Sequence, residues 1–251
     1  MRRAAGRGRP AFPPGRPESP RGYDRPLVTA GQTSEAEPRR AIEWAVLALA
    51  LAALGYAGRI FGGEPAEDIV FQYAFGFSAL VQYGLIGGLM LLIARRSSGR
   101  ELFALRLPAR RWRAAGPAAA AFVAIFVVAI VLERFLHAGE EQGLTPSGWD
   151  STRAGAFAFS FFAVAVLAPV TEELFYRGLG YSLLERFGPL ASIGLTGLAF
   201  AAAHGLLAGL PILWFFGSAL AWLRARTESV YPAIAVHALF NGMTLAAAVA
   251  T

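Results

Sequence analysis

Cysteine is absent from this 251-residue chain. That excludes disulfides, iron–sulfur clusters, Cys-ligated zinc and thiol nucleophiles together. Lysine is absent too: all 23 basic residues are Arg. No Walker lysine, Schiff base or Ser–Lys dyad can be built. Histidine is scarce, with only His137, His204 and His237, so any metal would need His and carboxylate ligands. Charge is also thin, at 16% of residues against about 25% in a soluble domain. What fills the space is apolar: 55% of residues are hydrophobic and the mean hydropathy is +0.47. A polar coat for a soluble globule is missing, which points to a polytopic membrane protein.

The sequence pI of about 10.3 does not imply nucleic-acid binding. Residues 1–40 hold nine Arg against Glu18, Asp24, Glu35 and Glu37, a net +5; the remaining 211 residues carry 14 Arg and 13 acids, a net +1. The excess lies in an Arg-, Pro- and Gly-rich tail without apolar periodicity, which reads as disordered. No nucleic-acid partner is expected, only the lipid bilayer and a substrate. The membrane domain is expected over 41–251.

Seven apolar segments follow, at roughly 41–60, 69–94, 117–136, 154–170, 188–203, 208–223 and 229–250. They are continuously apolar, unlike the alternating ten-residue strands of a barrel. The fold expected is all-α: a bundle of seven to eight transmembrane helices. The piece 171–187 is open between an eighth span and a kinked continuation past Pro169. Gly76, Gly84, Gly87 and Gly88 are candidates for close helix packing. Trp44, Trp112, Trp149 and Tyr231 fit interfacial anchors; Trp214 and Trp222 suit the same role or packing within the bundle. The loop 95–116 carries seven Arg and one acid, whereas the loops near 59–68 and 133–153 are acidic. That alternation places the tail and the 95–116 loop in the cytoplasm of a multi-pass cell-membrane protein. The all-Arg, Ala-rich composition suggests a GC-rich bacterial genome.

Polar groups appear where lipid or packed helix should be. In Thr171-Glu172-Glu173-Leu174-Phe175-Tyr176-Arg177-Gly178 the spacing puts Glu173 and Arg177 at i and i+4, able to pair. Glu172 lies about 100° round the helix, left freer, and a poorly solvated carboxylate there shifts toward a general base. The bland reading is a Glu pair at a helix N-terminus just outside the membrane. His204 ends an apolar segment. His237 and Asn241, again i and i+4, share a face inside the last span. Such groups inside a span face the bundle interior or water and mark function by default; the bland reading is packing glue. His137, beside acidic loop residues, is assigned no chemistry.

Two chemistries remain open for this set. Glu172 with His204 can deprotonate a water while His237 and Asn241 donate to an oxyanion. Alternatively, Glu172, His204 and His237 can ligate Zn²⁺. No H-E-x-x-H and no G-x-S-x-G is present, which disfavours a zincin or a rhomboid-like serine protease.

The set Glu172-Glu173-x-x-x-Arg177, Phe200-x-x-x-His204 and His237-x-x-x-Asn241 resembles the CAAX protease and bacteriocin-processing (Abi) family of intramembrane endopeptidases, related to the type II prenyl-protein protease. The resemblance covers about 154–245. It implies Glu172 as the main base, His204 sharing water activation, and His237 with Asn241 as the oxyanion site. Glu173 and Arg177 would hold the first motif's geometry. It implies no obligatory cofactor, since Asn241 suits an oxyanion donor better than a zinc ligand; if Zn²⁺ were bound, Glu172, His204 and His237 would hold it. The partner would be a membrane peptide or protein: eukaryotic relatives cut after a prenylated Cys, and bacterial ones are linked to peptide maturation, bacteriocin immunity and membrane signalling. The alternatives are a proton-coupled transporter subunit, disfavoured by the lack of internal repeats and of a first-half counterpart to the polar cluster, and a non-catalytic immunity or scaffold protein on the same fold.

Overall fold

The computed structural model describes residues 36–63, 68–95, 98–109, 111–142 and 146–250. The tail 1–35 lies outside the described residues, as do Glu64, Glu67, Arg96 and Arg110 of the two contrasting loops. Helix α1 (Ala36–Phe61) begins five residues before the boundary read from hydropathy. It is followed by α2 (Tyr73–Ala94), α3 (Arg111–Leu136), a long helix α4 (residues 151–187), α5 (Pro189–Ala203), α6 (Leu210–Thr227) and α7 (Tyr231–Ala248). The described residues contain no strand. The protein is an all-α polytopic membrane protein.

Contacts between loops fix the direction of each helix. At one end, Arg40 donates to the Arg95 carbonyl (3.2 Å), joining the start of α1 to the end of α2. Arg106 pairs with Glu228 there (2.9 Å), and Val230 N–H donates to the Ala104 carbonyl, which ties the post-α2 loop to the α6–α7 turn. At the other end, Arg59 donates to the Glu141 carbonyl (2.5 Å), and the Glu141 carboxylate accepts from Leu207 and Gly209 N–H. Asp68 there binds Ser147 and Arg153. Over the described residues the chain therefore traverses the bundle seven times. The basic loop and Arg224 and Arg226 share one end; the acidic loops share the other. The α1 start lies at the basic end and the α7 end at the acidic one.

Residues 171–187 do not make an eighth traversal; they continue α4. Its 37 residues correspond to roughly 55 Å, longer than the ~30 Å hydrocarbon core. α1, α2, α3 and α4 are long and apolar enough to cross a membrane. α5 is a shorter apolar helix of 15 residues, and α6 and α7 carry Arg224, Arg226, His237 and Asn241 within them. Each of these three contributes to the core: Phe200 and Ala201 of α5, Leu220, Ala221 and Leu223 of α6 and Ala233 of α7 are buried. Large apolar side chains on α1 to α3, such as Ile42, Leu49, Val81, Leu85, Val123 and Val127, point outward. Such faces suit a lipid surround.

Two sequence expectations are corrected here. Gly76 does mark a close approach, because a Cβ there would meet the Phe159 ring at 2.4 Å. Gly84, Gly87 and Gly88 do not: nothing lies within 4 Å of where their Cβ would stand. A tight small-residue contact occurs instead between α5 and α6, where a Cβ on Gly217 would lie 2.9 Å from Gly197 Cα. Trp112, Trp149 and Tyr231 are exposed, as anchors must be, but Trp44 is buried and donates Nε1–H to the Phe175 carbonyl (3.1 Å). Its ring fills the space that the missing Cβ of Gly180 leaves.

Candidate functional site

The Glu pair sits in the middle of α4, not at a helix N-terminus. Two π-helical stretches, Ala163–Leu167 and Leu174–Gly180, flank the α-helical turn Ala168–Glu173 that carries it. π turns insert an extra residue, shift the helix phase and disturb the i→i+4 ladder. In each stretch a side chain from another helix takes a carbonyl: Asn241 Nδ2 donates to Val164 O (3.0 Å), and Trp44 to Phe175 O. The irregular helix is thereby satisfied from outside, as apolar surroundings require.

Glu173 and Arg177 pair as their spacing predicts, at 2.9 Å, with both side chains fully buried. Arg177 also donates to the Gly217 carbonyl on α6 (2.8 Å), and its guanidinium lies 4.6 Å from the centroid of the Phe200 ring. The same Glu173 oxygen accepts from His237 Nδ1 (2.8 Å), a contact across 64 residues. This commits Nδ1–H of His237 to Glu173 and leaves Nε2 facing Glu172, 3.8 Å from Oε2. Glu172 is not as free as its helical position suggests: the Tyr83 hydroxyl on α2 donates to its Oε1 at 2.9 Å.

His204 terminates α5. Gly205 follows with φ +65°, a left-handed conformation that favours glycine and ends the helix. A Cβ at Gly205 would lie 2.3 Å from the Gly55 backbone, so the imidazole position rests on a glycine–glycine contact between α5 and α1. His204 Nδ1 bonds the Phe200 carbonyl (2.8 Å), which leaves Nε2 with its lone pair. His137 is exposed at the end of α3, away from these groups.

Glu172, His204, His237 and Asn241 line one cavity of about 590 Å³. Tyr83, Phe126, Phe216 and Phe240 supply parts of its wall, and Glu133, Gly139 and Leu206 line it toward the acidic end. Glu173 and Arg177 stand behind the wall. All six predicted residues are thus brought together, four at the cavity and two supporting it. Among the described residues no three His, Asp or Glu side chains form a group that could hold a metal ion. Sequence reasoning missed Tyr83. Its signal was faint: a tyrosine with Gln82 in the middle of an apolar segment, without a motif.

At the acidic end Asp150 accepts from the Thr152 hydroxyl and from Arg153, which hold its carboxyl down at about 2. The Ser147 N–H and Arg153 lower Asp68 likewise. Burial alone would raise Glu141, but the N–H groups of Leu207 and Gly209 outweigh it, so its carboxyl is lowered.

Fold and site define an all-α membrane protein with an acid, two imidazoles and a carboxamide around an internal cavity. Residues 154–243 match the family model described as Rce1-like, type II CAAX prenyl endopeptidase Rce1-like. All six motif residues fall inside that stretch. The resemblance to the CAAX protease family therefore stands, over that segment, on the family match as well as on the motifs. Comparison with curated proteins and with solved structures gave no match.

Proposed function

We propose that this chain is an intramembrane endopeptidase that hydrolyses a peptide bond of a membrane-associated peptide or protein, using water activated by Glu172 and His204. The carrying observation is that Glu172, His204, His237 and Asn241, from three distant stretches, line one cavity inside an apolar bundle. Glu172 and His204 Nε2 are the acceptors available to orient a water and take its proton. The water oxygen attacks the carbonyl carbon, and the carbonyl π electrons move to oxygen. The Asn241 N–H not used by Val164 O is a donor for that oxyanion, and His237, whose Nδ1–H is held by Glu173, adds a second from Nε2 when the ring carries both protons. Collapse of the tetrahedral species breaks the C–N bond, and the proton held by Glu172 passes to the leaving nitrogen. Glu173 fixes the His237 ring, much as a buried carboxylate orients the imidazole of a serine-protease triad. No step is routed through a metal.

The side of the membrane follows the charge asymmetry: the basic end, with Arg100, Arg106, Arg224 and Arg226, faces the cytoplasm of the cell membrane. The cavity then approaches the opposite face. The partners of this reading are the substrate peptide and the bilayer.

The test is cleavage of a quenched peptide library by purified protein in detergent, comparing wild type with Glu172→Ala and repeating the assay with chelator. Cleavage that disappears in the variant and survives chelation is expected. Unchanged cleavage by the variant overturns the base assignment, and loss on chelation overturns metal-free activation.

A further inference from the structure

A second cleft, of about 680 Å³, lies at the basic end of the bundle, remote from Glu172. Arg106, Leu107, Pro108, Ala109, Arg113 and Ala114 form one wall, and Arg226, Thr227 and Glu228 the other. Three guanidiniums face one carboxylate, and that carboxylate is engaged: Glu228 Oε2 takes Arg106 Nη2 at 2.9 Å while Arg106 Nε donates to the Glu228 carbonyl at 2.6 Å. Arg113 instead stacks on Trp112, with 5.0 Å to the ring centroid, and Arg226 on Trp222 at 5.7 Å. Cation–π contacts hold a guanidinium in place without cancelling its charge. Among the described lining residues positive charge therefore exceeds negative by two.

Location sharpens the point. Arg113 sits in the first turn of α3, where the helix dipole disfavours a cation, and that turn contains no acid. Arg226, in the last turn of α6, is where the dipole favours one. A purely structural account thus covers Arg226 and leaves Arg113 uncompensated. An anion between the two walls compensates both, and a guanidinium's planar donor fork matches phosphate oxygens. Beside the cleft Leu107 and Trp112 are exposed, and the outward faces of Val123 and Val127 continue along α3. A polar, cationic cleft that runs into a lipid-facing apolar wall has the profile of a phospholipid: headgroup phosphate in the cleft, acyl chains along α3.

We infer that this cleft is a phosphate-binding site, with Arg113 and Arg226 as the paired ligands and Thr227 and Arg106 at its rim. Its ligand is a phosphate monoanion, supplied either by the headgroup of an anionic phospholipid or by free phosphate.

The test uses the full chain in neutral detergent and follows thermal unfolding. The arms are phosphatidylglycerol, phosphatidylcholine of the same acyl chains, and inorganic phosphate at ionic strength matched with chloride. Phosphatidylglycerol at roughly a hundredfold excess over Kd is expected to raise the unfolding midpoint by about 5–10 °C, and phosphatidylcholine to do much less. Arg113→Gln/Arg226→Gln should lose most of that shift and release the phosphatidylglycerol that native mass spectrometry finds on the wild type. Arg113→Gln alone is the fallback should the double variant fail to fold. A shift with phosphatidylglycerol only identifies a lipid site; an equal shift with phosphate identifies a small-anion site. Equal responses to the two lipids without a phosphate effect, or variants that respond as the wild type does, overturn the inference. None of these side chains lines the Glu172 cavity, so a failed cleavage assay leaves this test intact.

Discussion

Glu173→Gln is the substitution on which the arrangement behind the cavity can be judged. In the wild type one carboxylate oxygen serves two N–H partners, Arg177 at 2.9 Å and His237 Nδ1 at 2.8 Å, with the Glu173 and Arg177 side chains fully buried. The amide keeps the shape but removes the charge, and its NH₂ adds donors beside groups that are themselves donors. Arg177 is left with the Gly217 carbonyl and the faces of Phe200 and Tyr176. Breaking a buried ion pair from one side typically costs about 3–5 kcal/mol, because the other charge stays buried and uncompensated. For a domain of this size each kcal/mol moves the midpoint by roughly 2–4 °C, so a fall of roughly 6–20 °C is expected. Glu172→Gln, by contrast, removes the charge of a carboxylate that lines a cavity and is bonded to a neutral tyrosine hydroxyl. It should move the midpoint far less while abolishing cleavage. Removing both charges, as Glu173→Gln/Arg177→Met, should recover much of the stability, since apolar replacement of a buried pair is often neutral, but not the activity, because His237 still lacks its anchor. Thermal unfolding in detergent with peptide cleavage measured on the same samples reads all of this. Equal midpoints for Glu172→Gln and Glu173→Gln would refute the reasoning.

Other outcomes follow from single contacts. Tyr83→Phe deletes a hydrogen bond to a charged group, about 1.5–3 kcal/mol, so a midpoint lower by roughly 3–12 °C is expected, with slower cleavage because Glu172 loses the contact that orients it. Gly217→Ala forces a Cβ to within 2.9 Å of Gly197 and 3.1 Å of Arg177 Nη2; parting α5 from α6 should cost about 1–3 kcal/mol, read as a lowered midpoint, whereas Gly84→Ala should be neutral or mildly stabilising. The Asp150 carboxyl titrates near 2 in the folded protein against an ordinary value of 3.8. Its stabilising contribution is therefore complete above about pH 4 and lost as pH falls toward 2, and Asp150→Asn should flatten that part of the unfolding profile without altering stability differences above it.

The architecture was legible because continuous apolarity at crossing length is a property of the sequence itself and needs no knowledge of neighbours. The Glu173–Arg177 pair was legible for the same reason: four residues on a helix bring two side chains together whatever surrounds them. The same local rule put His237 and Asn241 on one face, and both line the cavity. Local rules failed where a helix meets its surroundings. Trp44 reads as an interfacial anchor by position, yet packing rotates it inward onto the Phe175 carbonyl. Gly84, Gly87 and Gly88 read as a packing face, yet the rotation of α2 leaves them without neighbours. Residues 171–187 read as open between a new span and a continuation, with charge counting only weakly favouring the continuation, because a proline and two π turns lie within a helix without ending it.

By itself, then, the amino-acid order determined the membrane class, the seven apolar segments, the polar set Glu172, Glu173, Arg177, His204, His237 and Asn241, and the charge contrast between loops. Tertiary structure alone decided that Tyr83 reaches Glu172 across 89 residues, that Glu173 rather than Glu172 takes His237 Nδ1, and that the basic loop and Arg226 meet at one end. The physical reason is that hydropathy and helical period specify each helix up to a rotation about its own axis. Only the packing of seven helices against one another fixes those rotations, and with them which side chains face the cavity and which face lipid.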